Sequence, residues 1–202
     1  EEVGGPRNWD YRYCWIRDAY YTVQALNDLG ALDVLENYLG YLRNLVDGIE
    51  GNNVQPLFSV TGDRQLPESV ADRLPGYRGM GPVRVGNAAA EQVQHDVYGQ
   101  IVLPNVQGFC DQRLMRISGM ADFEKLEEIG ELAWAHHAEP DAGLWEFRTR
   151  QAVHTYSAVM GWATGDRMAN GARMLGAVER GEVWGDRAAS IRKTSERRAW
   201  YK

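Results

Sequence analysis

Ile16, Tyr20, Val23, Leu26 and Leu29 recur at steps of three and four residues, and the pattern stops at Gly30. A strand would scatter these side chains over both of its faces, whereas a helix gathers them on one. Leu32, Leu35, Tyr38, Leu39, Leu42, Leu45 and Val46 repeat the pattern as far as Gly48. Two amphipathic helices joined at one glycine form an αα-hairpin. Each carries an apolar stripe that must be covered, so the chain is committed to packing helix on helix.

From Gly48 to Gly86 the periodicity disappears. Turn signals crowd this stretch: Gly62-Asp63, Leu66-Pro67, Leu74-Pro75-Gly76 and Gly81-Pro82. A loop of this length within a compact domain is functional or disordered. Its apolar residues (Leu57, Phe58, Val60, Tyr77, Val83, Val85) predict an ordered excursion packed over one end of the domain. Helical pattern returns at Asn87, a capping residue, with Val93, Val97, Ile101 and Val102 as one face and Pro104 as stop or kink. A fourth helix is predicted over Met120 to Ala138. Leu144 to Phe147 reads as a short extended piece. Thr155 or Ser157 caps a fifth helix through Met168, and Trp184 to Ala199 forms a sixth. The expectation is an all-α fold of six helices, nearly without strand, as one domain over residues 1–202. The chain stops on Trp200-Tyr201-Lys202 with neither a glycine cap nor a polar tail, as if something followed.

The net charge of −6 argues against general affinity for nucleic acid or anionic membrane, and no apolar run reaches membrane-spanning length. No signal peptide is visible, although the chain starts at Glu1 rather than Met. Cys14 and Cys110 stand far apart without a C-x-x-C partner. They read as buried free thiols in a reducing, cytoplasmic compartment, with a disulfide as the alternative. His95, His136, His137 and His154 show no metal-ligand spacing, and His136-His137 would point to different helix faces. No metal site is expected.

Just before the first helix, Trp9, Tyr11, Tyr13 and Trp15 occupy every second position, followed at once by Arg17 and Asp18. Read alone, the row is a packed core edge with a structural ion pair. Read as a ligand site, the rings stack on the C–H face of a sugar and the charged pair bridges neighbouring hydroxyls. Glu146 is the strongest catalytic candidate. It lies between Trp145 and Phe147, and a carboxyl group walled by rings loses water, which favours a proton donor at neutral pH. Pairing with Arg148 or Arg150 would act the other way. Asp10, Asp18 and Asp96 are further acids in unusual settings; Asp96, in H-D-V-Y-G, reads by itself as a helix-surface acid. No G-x-S-x-G elbow, phosphate loop or helical repeat is present.

Four blocks together resemble glycoside hydrolase family 15, the family of glucoamylases, glucodextranases and the bacterial and archaeal trehalases of that type. They are G-G-P-R-N-W-D-Y-R-Y-C-W-I-R-D (Gly4 to Asp18), L-P-G-Y-R-G-M-G-P-V-R-V-G-N-A-A (Leu74 to Ala89), Q-H-D-V-Y-G (Gln94 to Gly99), and D-A-G-L-W-E-F-R followed by H-T-Y-S-A-V-M (Asp141 to Met160). The resemblance implies an (α/α)6 toroid, of which six helices are about half. It implies hydrolysis of an α-glucosidic bond with inversion, releasing glucose, with Glu146 as general acid. It also implies that Trp15, Arg17 and Asp18 hold the terminal glucose, that Tyr11 and Trp145 wall the pocket, and that Asp96 lies on a helix beside it. The implied partner is an α-glucoside or trehalose-type sugar, and no cofactor is implied. Inversion needs a second carboxylate as base, and no segment here resembles the family's base-bearing one. The resemblance therefore covers the acid-bearing part of the catalytic domain. The bond type hydrolysed and the oligomeric state stay open.

Overall fold

The computed structural model describes residues 4–49 and 53–200; Tyr201 and Lys202 of the aromatic end lie outside them. Among the described residues six α-helices form: α1 (Ile16–Asp28), α2 (Leu32–Asp47), α3 (Asp96–Gln107), α4 (Met120–His136), α5 (Thr155–Met174) and α6 (Val178–Ala199). Strand is confined to four two-residue pieces, β1 (Cys14–Trp15), β2 (Leu57–Phe58), β3 (Ser69–Val70) and β4 (Arg84–Val85). The fold is all-α and consistent with part of an (α/α)6 toroid.

The αα-hairpin closes as its sequence predicts. At Gly30 the backbone turns left-handed, Gly30 N–H donates to Asn27 O and Ala31 N–H donates to Leu26 O. This is the Schellman arrangement, which satisfies the carbonyls left over at the end of α1. The same device ends α5, where Gly176 N–H donates to Arg173 O and Ala177 N–H to Ala172 O. Both turns carry the tripeptide Leu-Gly-Ala, at Leu29 and at Leu175. Past this second turn α6 begins at Val178, not at Trp184 as the periodicity implied. Its first turns include Gly181, where an added Cβ would lie 3.2 Å from Ala169 O and 2.9 Å from the Arg173 side chain. Close approach of α6 to α5 there needs a residue without a side chain, which hides the helix from an apolar-spacing argument.

Three further expectations are corrected. Asn87 does cap, accepting from Ala89 N–H, but it caps a short 3-10 turn (Ala88–Glu91), and α3 starts only at Asp96. Of the stop or kink expected at Pro104, the stop is excluded: the residue is buried inside α3, which runs on to Gln107. Leu144 to Phe147 is a turn rather than an extended piece.

The excursion after α2 is ordered, but its anchors are fewer than expected. Leu57 and Phe58 are fully buried, whereas Val60, Tyr77 and Val85 are exposed. β2 pairs antiparallel with β1, placing Trp15 opposite Leu57. β3 pairs antiparallel with β4. The main apolar core runs through all six helices, from Ile16 and Leu42 to Ile101, Phe123, Met168 and Trp184. A separate small cluster of Trp15, Leu57 and Ala89 joins the excursion to the start of α1. The thiols of Cys14 and Cys110 are free, as expected, but neither is fully buried: Cys14 is half-buried and Cys110 exposed.

Candidate active site

The row Trp9, Tyr11, Tyr13 and Trp15 does not make one aromatic face. Trp9 has two guanidinium groups over its ring, Arg148 at 3.9 Å and Arg84 at 4.3 Å from the ring centre. Arg148 also donates to both carboxylate oxygens of Glu68, at 3.1 and 2.7 Å. Tyr13 turns towards Asp10, to which its hydroxyl donates. Asp10 also accepts from Arg12 and from the backbone N–H of Gly86, and these donors hold its carboxyl far below the usual range. Only Tyr11 and Trp15 keep company, with ring centres 5.7 Å apart. Trp9 and Asp10 thus fasten the excursion to the segment before α1, and the rings that remain face a pocket.

That pocket is an open cavity of about 750 Å³ lined by Tyr11, Trp15, Arg17, Asp18, Trp145 and Glu146, among others. It brings together six of the seven residues singled out from the sequence. Tyr11 and Trp145 stand at its rim, 61% and 78% exposed. Trp15, only 7% exposed, is floor rather than wall, and its indole N–H donates to Glu146 Oε1 at 2.6 Å. Arg17 reaches the same oxygen at 3.5 Å, pairs with Asp18 at 2.9 Å and donates to Leu144 O at 3.3 Å. The alternative pairing of Glu146 with Arg148 or Arg150 does not form. Arg148 is engaged by Glu68 and Trp9, and Arg150 lies 3.9 Å from the centre of the Phe147 ring.

Glu146 itself sits in left-handed backbone, at φ 55°. Its turn is closed by Glu146 N–H to Gly143 O and Phe147 N–H to Ala142 O. Gln92 steadies it by donating to Glu146 O at 3.2 Å. The base of the turn is held by Asp141, fully buried, which accepts from His95 N–H at 2.8 Å and Ser157 Oγ at 2.7 Å. A short bridge also pairs Asp141 with Ala152. The positions of Gln92 and Asp141 escaped sequence reasoning. The only signal was the Asp-Ala-Gly turn ahead of Leu144, which reads as a turn whatever it presents.

Asp96 is not a surface acid and does not line the pocket. It is buried at the first turn of α3, where Gln100 donates to Oδ2 while Oδ1 has no hydrogen-bond partner. Burial pushes its carboxyl up to about 6, against the opposing pull of the Gln100 hydrogen bond and the Arg17 charge. It feels the charge of Arg17 but is not among the residues that line the cavity. Away from the pocket, the histidines group by contact rather than by spacing in the chain. His137 Nδ1 is occupied by Trp134 O at 2.6 Å, but His136 meets His95, and with Glu139 they place ligand atoms within 4.8 Å of one another.

The fold and the site define an all-α protein in which the start of one helix and a distant turn close on a ring-rimmed carboxylate pocket. The chain belongs to glycosyl hydrolases family 15, whose profile matches residues 3–202. It is 36% identical to a trehalase of Thermoplasma volcanium over 177 residues, covering 87% of this chain and 27% of that protein. It is 35% identical to a trehalase of Thermoplasma acidophilum, covering 92% of this chain and 32% of that protein. A trehalase of Mycobacterium tuberculosis is 35% identical, covering 91% and 27%. The chain thus spans about a third or less of the length of these relatives. No solved structure matches it.

Proposed function

We propose that residues 1–202 supply the acid-bearing side of a glycosidase pocket, and that the whole protein hydrolyses an α-glucoside, of the trehalose or glucoamylase-substrate kind, with inversion. The observation that carries this reading is the setting of Glu146, fixed through Oε1 by Trp15 and Arg17 at the floor of a cavity whose rim is aromatic. Both contacts fall on Oε1, which leaves Oε2 to carry a proton to the glycosidic oxygen. Arg17 and Asp18 grip hydroxyls of the terminal sugar, and Tyr11 and Trp145 cover its apolar faces. Asp96 acts through Arg17 and touches no sugar. Family membership and the trehalase relatives support the substrate class.

We assign Asp18 to sugar binding rather than to the base. Its Oδ2 and Glu146 Oε1 lie 2.9 and 3.5 Å from the same Arg17 nitrogen, so they are at most 6.4 Å apart. An inverting pair needs about 6.5–9.5 Å to admit water on the opposite face of the sugar. We assign the base role to a carboxylate outside these residues, so that the 202-residue chain alone would hold sugar without turning it over.

The test is Glu146→Gln in the full-length protein. Turnover of trehalose or maltose should fall on the order of 10²–10⁴-fold, the usual contribution of a positioned acid, with sugar binding retained. Turnover near wild type would remove Glu146 from the mechanism. Glucose release by the 202-residue chain alone would place the base within it.

A further inference from the structure

His95, His136 and Glu139 come from three places: the residue before α3, the end of α4 and the turn that follows α4. Their ligand atoms lie within 4.8 Å of one another beside a cavity of about 370 Å³, to which Asn53, Tyr98 and Gln151 also contribute. His95 is 5% exposed, and neither of its ring nitrogens makes a hydrogen bond of ordinary geometry; the Pro140 carbonyl is its only weak backbone contact among the described residues. Such an unsatisfied pair inside a protein calls for a specific explanation. Burial lowers the affinity of His95 for a proton, which favours the neutral imidazole that binds metals. The His136 ring lies 5.2 Å away and within 4° of parallel, and its Nδ1 is 2.7 Å from Glu139 Oε2.

We propose that His95, His136 and Glu139 form a site for a divalent transition-metal ion of the zinc class, separate from the glucoside pocket. Two imidazoles and one carboxylate suit zinc or cobalt, and three protein ligands leave a fourth position open. Magnesium and calcium prefer oxygen donors and are disfavoured. Bonds of about 2.0–2.1 Å place tetrahedral ligands roughly 3.3 Å apart, so the three groups must close by an ångström or so. His95 is held by its burial. His136 and Glu139 are at a helix end and in an exposed turn, where side chains can swing.

The consequence follows from what the same residues support. The backbone N–H of His95 donates to Asp141, the anchor of the Glu146 turn, and Glu139 lies two residues before that anchor. An ion here would clip the start of α3 to the far end of α4 and brace the base of the turn. This inference is independent of the sugar chemistry assigned to the pocket.

The test uses the untagged chain, stripped with a chelator and then titrated with cobalt chloride by visible absorption and zinc chloride by calorimetry. One equivalent should bind, with the intense cobalt bands of four-coordinate nitrogen and oxygen ligation, and zinc should raise the thermal midpoint. His136→Ala and Glu139→Gln, both at accessible positions, should each weaken binding by at least the roughly 10–100-fold that even outer-shell changes cost. His137→Ala should leave it unchanged. Absence of binding by the wild-type chain overturns the proposal. Unchanged affinity in His136→Ala does so too, as does a thiolate-to-cobalt charge-transfer band, which would assign the ion to a cysteine.

Discussion

Glu146 occupies a backbone conformation that disfavours its own side chain. A left-handed glutamate costs on the order of 1–2 kcal/mol, and the cost persists because the 143–147 turn is over-determined by Asp141, Gln92 and its own closing hydrogen bonds. This is why the type of the residue was legible in the sequence and its presentation was not. Neighbouring rings identified Glu146, but glutamate carries no signal for positive φ, so the stretch read as extended. Trp15 was equally legible as a pocket residue, while its donation to Glu146 depends on contact across 131 positions. Asp10 makes a prediction that can be signed. Its carboxyl is held far below the ordinary 3.8 by Arg12, Tyr13 and Gly86. A depressed folded value stabilises the fold above about pH 4 and loses that contribution as pH falls towards it. Asp10→Asn should therefore destabilise the chain at pH 7 by about 1–3 kcal/mol, the worth of hydrogen bonds to a charged group. The gap should narrow as urea melts are taken from pH 4 downwards. A difference independent of pH would show that packing, not charge, links Asp10 to Gly86.

Helices were readable where large apolar residues kept their spacing, as in α1 and α2. They were misjudged where small residues carry the packing. α3 and α5 meet at Gly99, where an added Cβ would stand 2.8 Å from the Met160 carbonyl oxygen. α5 and α6 meet where Gly165 faces Ala188, and Gly130 of α4 makes room for the Trp184 ring. Apolar-period arguments score glycine and alanine as silence, so the end of α5 beyond Met168 and the first turns of α6 were invisible. The contrast between two helical glycines tests this. Replacing glycine by alanine in an open helix gains about 0.8–1 kcal/mol of helix propensity. Gly40 in α2 is such a place, since its nearest neighbour would be the flexible tip of Arg43 at 3.9 Å, so Gly40→Ala should stabilise by up to that amount. Gly99→Ala meets backbone, and the strain of about 1–3 kcal/mol expected from overpacking should outweigh the gain. Denaturant midpoints shifting in opposite directions is the expected result. A stabilised Gly99→Ala would mean that α3 and α5 part freely, and that the small-residue seam does not set their spacing.

At the scale of the molecule, the two sides of the pocket are remote in sequence and meet only because both rest on helices of one core. Arg17 and Asp18 project from the first turn of α1, while Glu146 hangs from a turn anchored through Asp141 to Ser157 of α5. α1 and α5 meet through the Tyr21 and Tyr156 hydroxyls, 2.9 Å apart, and both lie against α3, which joins them more broadly. Met168, in α5, is fully buried within the cluster that spans all six helices. Met168→Ala should cost about 2–5 kcal/mol, a large share of the roughly 5–15 kcal/mol that holds a domain together. The informative measurement is hydrogen exchange at the Trp15 indole N–H, compared with core amides such as that of Ile101. If the site is built into the cooperative unit, both should open with one free energy, and Met168→Ala should lower both equally. The small cluster of Trp15, Leu57 and Ala89 offers the contrary outcome. If the Trp15 N–H opens at lower cost and ignores Met168→Ala, that cluster is a separate unit. The hydrogen bond that fixes Glu146 would then be governed by the excursion after α2, and stabilising the helical core would do nothing for the acid.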